Sequence, residues 1–72
     1  MTEYVVIYEQ ADDGGWGAYS PDVDGCVALG DSRAEVEQNM RESIVLFLEE
    51  LRRRGQPIPP ARSSAGTVSV AA

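Results

Sequence analysis

The stretch Asp13-Gly14-Gly15-Trp16-Gly17-Ala18-Tyr19-Ser20-Pro21-Asp22-Val23-Asp24-Gly25-Cys26-Val27-Ala28-Leu29-Gly30 decides the fold. It holds two short runs suited to strands, Trp16 to Ser20 and Cys26 to Leu29, each entered through a turn. Asp ahead of Gly marks both turns, because Gly supplies positive φ and Asp tolerates tight local geometry. Upstream, Tyr4-Val5-Val6-Ile7-Tyr8-Glu9 is dense in β-branched and aromatic residues and predicts a first strand. Its five apolar or aromatic residues in a row lack polar alternation, which predicts a central strand covered on both faces. Three strands joined by tight turns make an antiparallel meander.

Downstream the period changes from two to 3.6. Ser32 and Glu35 stand at capping-box spacing, and Asp31 and Glu35 put negative charge where a helix begins. Arg52, Arg53 and Arg54 put positive charge where it would end, and Gly55 followed by Pro57, Pro59 and Pro60 stops it. A helix is expected from Arg33 to Arg54. Val36, Met40, Ser43, Ile44, Phe47 and Leu51 fall on one stripe that faces the sheet, flanked by Leu46 and Leu48. Val45 lies on the opposite side and is the candidate oligomer contact. After the prolines, Thr67-Val68-Ser69-Val70 alternates and predicts a fourth strand, parallel to the first through a right-handed crossover. The expected architecture is α+β, β-β-β-α-β, sheet order 3-2-1-4, in a single domain over residues 1–72. One helix covers one sheet face. On the first strand, either Tyr4, Val6 and Tyr8 or Val5 and Ile7 must therefore find another cover.

Composition bounds the function. The 72 residues are 43% hydrophobic and 25% charged, suited to one small folded domain with a thin core. Twelve acids stand against six arginines with no lysine, a net charge of −6. That field repels phosphate backbones and favours a basic protein partner over direct nucleic-acid binding. There is no histidine, hence no neutral-pH imidazole base and no imidazole metal ligand. The single Cys26 has no base to activate it and reads as a structural thiol. Asp12, Asp13, Asp22, Asp24 and Asp31 belong to turns and a cap, so neither a catalytic nor a metal site is expected, and no cofactor. No signal peptide and no apolar run near about 18 residues is seen, which leads to a cytoplasmic chain without a membrane partner. Trp16 and Tyr19 are large for a short strand; they serve either the core or a partner contact.

The string Asp13 to Ser32 resembles the signature of the HicB family, the antitoxins of HicA–HicB toxin–antitoxin systems. An apolar first strand precedes it; the amphipathic helix and Gly55-Gln56-Pro57-Ile58-Pro59-Pro60 follow in the family's order. The resemblance runs from Tyr4 to Pro60. It implies a partial ribonuclease-H-like fold, no enzymatic activity, a homo-oligomer, and a HicA-type toxin as partner, a small basic mRNA-cleaving protein whose active site the antitoxin masks. Trp16, Tyr19, Asp22 and Asp24 are then the candidates for the toxin interface. Longer family members add a DNA-binding domain; this chain stops near the end of the first domain, so operator binding is not expected of it. The alternative is an orphan interaction module of the same fold with another protein partner.

Overall fold

A computed structural model describes residues 1–72. Strands β1 (Ile7–Gln10), β2 (Trp16–Tyr19) and β3 (Val27–Gly30) precede one long helix, α1 (Arg33–Arg53). The strands form an antiparallel meander in the order β1-β2-β3. Ile7 faces Tyr19, Tyr8 faces Ala18 and Gln10 faces Trp16; across β2, Ala18 faces Ala28 and Tyr19 faces Val27.

β1 is shorter than the apolar run that announces it, and the chemistry of Pro21 explains why. Continuing the register places Val5 opposite Pro21, which has no N–H to donate, so the ladder stops at Ile7. The carbonyl of Val5 is satisfied instead by the Ser20 hydroxyl at 2.7 Å. β3 likewise begins one residue later than expected, because the Cys26 N–H closes a turn on the Val23 carbonyl at 3.2 Å.

The expected fourth strand does not form within the chain. Residues 65–72 have no regular structure, and Val68 and Val70 stand exposed. β1 is consequently an edge strand, and β2 takes the central place. The physical reason lies at the base of the tail. Asp22 binds the backbone N–H groups of Arg62 and Ser63 at 2.9 and 2.7 Å and the Ser63 hydroxyl at 3.0 Å. Beyond this clasp no residue makes a hydrogen bond, and residues 64–72 are exposed.

The helix signals act as read. Ser32 is the N-cap, its hydroxyl accepting the Glu35 N–H at 3.1 Å, while Glu35 reaches back to the Asp31 N–H at 3.3 Å. At the other end Gly55 takes φ of 70°. Its N–H bonds to Arg52 and the Gln56 N–H to Leu51, a Schellman closure. Arg54 is the C-cap, so the helix ends one residue before the expected boundary. Glu50 receives both Arg53 and Arg54, so two of the three arginines are paired within the last turns.

The core is small: seven of 72 residues are buried, namely Ala18, Ser20, Val23, Cys26, Ala28, Val36 and Met40. Ala18 and Ala28 are opposite each other, and their small side chains let α1 approach the sheet closely. A Cβ on Gly30 would meet Val36 at 3.0 Å, so the helix entry packs directly on the end of β3. Tyr4, Val6, Tyr8, Trp16, Ile44 and Phe47 pack around this centre, and the expected helix stripe faces the sheet. Cys26 is buried, its thiol 3.9 Å from the Ser43 carbonyl.

Candidate protein-binding surface

Pairing parity sorts every strand residue to one of two faces. Tyr8, Trp16, Ala18 and Ala28 lie under α1, and Tyr4 and Val6 join them in the core cluster. The other set, Ile7, Gly17, Tyr19, Val27 and Leu29, lies on the face that no element of this chain covers. Tyr19 is 44% exposed, Val27 66% and Leu29 79%. Leu29 leans over Gly17, where a Cβ would meet its Cδ2 at 3.3 Å; the absence of a side chain at Gly17 gives Leu29 its resting place. A contiguous apolar patch of this kind on a small sheet is the mark of a protein contact.

The alternation on β3 carries this signal in the sequence. Cys26 and Ala28 are buried while Val27 and Leu29 point away, so the strand is apolar on both faces, which only a covered sheet needs. Sequence reasoning applied that logic to the first strand and passed over the third.

The four expected interface residues do not form one surface. Tyr19 sits on the open face. Trp16 lies three residues before it, on the helix side, half-buried against the core. Asp22 is occupied by the tail: the N–H of Ser63 holds its carboxyl below the ordinary aspartate range, opposed by partial burial and reinforced by the Ser63 hydroxyl and the Arg62 N–H. The Asp22 clasp gave no sequence signal, because its partners lie forty residues away. Asp24 is exposed in the β2–β3 turn, without a hydrogen-bond partner. Asp13 accepts the Gly15 N–H at 2.9 Å, as a turn residue does.

On the helix side a second concave feature runs between α1 and the residues leading into β1. It is a groove of about 710 Å³, floored by Met40 and Ile44 and walled by Tyr4, Val6, Tyr8 and Val45. Val45 is exposed, but on the rim of this groove rather than on the side of α1 opposite the sheet. The groove exists because α1 packs across β2 and β3 and leaves the β1 side open.

Neither surface assembles a nucleophile with a base, and no group of three or more cysteine and carboxylate side chains gathers to hold a metal ion. No helix is long and apolar enough to cross a membrane.

Comparison with known proteins agrees with this geometry. Residues 4–70 match the family model described as the HicB-like antitoxin of bacterial toxin–antitoxin systems. The chain is 41% identical over 56 residues to the UPF0150 protein ssr1765 of Synechocystis sp., covering 78% of this chain and 71% of that one. Among solved structures it is similar to the N-terminal domain of the Burkholderia pseudomallei antitoxin HicB. The TM-score is 0.74 at 25% identity, over 82% of this chain and 69% of the other. It is also similar to a chain of the HicA3 and HicB3 toxin–antitoxin complex, with a TM-score of 0.66 at 31% identity over 83% and 70% of the two chains.

Proposed function

We propose that this chain, which belongs to the HicB-like antitoxins of bacterial toxin–antitoxin systems, binds a small basic HicA-type toxin in the cytoplasm and masks its RNA-cleaving site. Its role is that of a binding protein rather than an enzyme. The open face of the meander, with Tyr19, Val27 and Leu29 as apolar anchors, is the surface that meets the toxin.

The observation that carries this reading is the uncovered apolar patch on an acidic domain. A net charge of −6 attracts a protein built to grip phosphates and speeds the encounter. Charge alone gives no lasting complex, since exposed ion pairs are each worth about 0–1 kcal/mol. The lasting contact falls to side chains that lose water on docking, and Leu29 is the most exposed of the sheet's apolar residues. Likeness to a chain of a toxin–antitoxin complex supports the choice of partner. The exposed Asp24, at one end of the sheet, is placed to contribute to steering.

Binding kinetics on a HicA-type toxin test the reading. Leu29→Asp places a charge on the patch without touching the core; dissociation should accelerate at least roughly tenfold, the effect of losing an interface anchor. Asp24→Asn should slow association and flatten its salt dependence while leaving dissociation unchanged. If well-folded Leu29→Asp and Val27→Asp proteins both dissociate at the parent's rate, the open face is not the toxin surface.

A further inference from the structure

We infer that the open face reads one lysine or arginine side chain of its partner: the apolar stem lies over Gly17 against Leu29, and the cationic head reaches the Glu9 carboxylate. The inference rests on the open face being the toxin surface, and it names the partner group that this face recognises.

The strand register builds a notch for such a group. Glu9 on β1 stands opposite Gly17 on β2, and Gly17 stands opposite Leu29 on β3, so the three form one row across the open face. With glycine at its centre, the row has no side chain between its ends, whose backbones are roughly 10 Å apart, two strand spacings. Leu29 leans inward over the gap, its Cδ2 3.3 Å from where a Gly17 Cβ would stand. The result is a shallow depression of about 500 Å³ bounded by Glu9, Asp13, Gly15 and Leu29. One wall is aliphatic and the other is a carboxylate. That is the complement of a long basic side chain, which lays its methylenes on apolar surface and keeps its charged head at a polar rim. The neighbouring row, Ile7, Tyr19 and Val27, is apolar or aromatic throughout, so Glu9 is the one charged group among the paired residues of this face.

The distribution of charge gives the occupant its sign. Seven of the twelve acids and none of the six arginines lie in residues 1–32, the half of the chain that holds the sheet. The arginines all stand on α1 or in the segment after it, and α1 covers the opposite face. The chain's ion pairs join Arg33 to Glu37, and Arg53 and Arg54 to Glu50, all at α1, so Glu9 has no cation in its own chain. Asp13, by contrast, already accepts the Gly15 N–H through its Oδ1. A partner that covers Tyr19, Val27 and Leu29 also takes water from Glu9. An apolar or acidic group set in the notch would leave that carboxylate unpaired out of water, at a large cost, whereas a cation satisfies it. The pair therefore contributes selection among partners as well as hold: the apolar row accepts many surfaces, and Glu9 rejects those without a basic side chain at this place.

Binding kinetics of full-chain variants on a HicA-type toxin test this, with circular dichroism to confirm that each variant is folded. Glu9→Gln keeps the side chain's size and removes its charge; dissociation should accelerate about tenfold, as for a charge pair shielded inside an interface. Asp12→Asn removes the same charge from the exposed β1–β2 turn, outside the notch, and should leave dissociation at the parent's rate. In double-mutant cycles, one lysine or arginine of the toxin, replaced by Ala, should lose its effect on dissociation once Glu9 is replaced by Gln. The inference is overturned if Glu9→Gln dissociates no faster than Asp12→Asn, or if its effect adds to that of every toxin substitution. Val27→Asp separates this from a failure of the surface itself. Acceleration by Val27→Asp without Glu9→Gln leaves the open face as the toxin surface and removes the notch; acceleration by neither removes both.

Discussion

Met40→Ala is the substitution that most directly probes how α1 is held. Met40 is 1% exposed and, with Val36 and Val23, is one of the three largest fully buried side chains. Truncating a buried Met to Ala costs about 2–5 kcal/mol, the spread depending on how far the surroundings collapse. Here the side chain floors the groove beside β1, so the space it leaves opens outward and the loss belongs in the lower half, about 2–3 kcal/mol. A domain of this size has a total stability of about 4–11 kcal/mol. The melting temperature should therefore fall by roughly 15 °C at fixed protein concentration, read by circular dichroism. Phe47→Ala removes a larger side chain but one that is only half-buried, and should cost about 1.5–2.5 kcal/mol. Leu46→Ala, on the exposed flank, should stay within about 0.5 kcal/mol of the parent. If Met40→Ala costs less than Phe47→Ala, the helix does not rest on the sheet through the Val36–Met40 turn and the packing account fails.

Two further outcomes follow from named contacts. Asp22 is held below its ordinary pKa by the Ser63 and Arg62 donors, so the clasp is fully present above the unfolded aspartate pKa of about 3.9 and is lost as pH falls through the lower folded value. Amide exchange at Arg62 and Ser63 should therefore lose its protection, relative to that of residues in α1, only at acid pH below about 4, and should lose it at neutral pH in Asp22→Ala; protection independent of both would show that the tail is held by something else. Gly30→Ala forces a Cβ to 3.0 Å from Val36 at the helix entry and should cost about 1–3 kcal/mol in urea denaturation, whereas a neutral effect would mean the N-terminal turn of α1 can shift.

The helix was legible almost to the residue because its signals are local: Ser32 and Glu35 sit three positions apart, and Gly55 must take positive φ. The turns at Asp13-Gly14 and Asp24-Gly25 were legible for the same reason, and they deliver the three-stranded meander. What the sequence did not show depends on distant partners. The end of β1 is set by Pro21 across the sheet, and the path of the tail by an Asp22 carboxylate forty residues away. The alternation of Thr67–Val70 reports strand chemistry, but the chain's own β1 does not pair with it. At the binding surface, Tyr19 was found by size, while Val27 and Leu29 needed the pairing with β2 to show that they point away from α1. Trp16 drew attention for the same reason as Tyr19, yet the parity of a four-residue strand puts it on the other face.

The masking of a toxin is the central claim, and a titration tests it most directly. A HicA-type toxin is assayed for RNA cleavage while this chain is added, with the complex followed by size-exclusion chromatography. Cleavage should fall in proportion to added chain and stop at a simple stoichiometric ratio, with both proteins co-eluting, and Leu29→Asp should shift the end point to large excess. Undiminished cleavage at excess chain, with the two proteins eluting apart, would contradict the account.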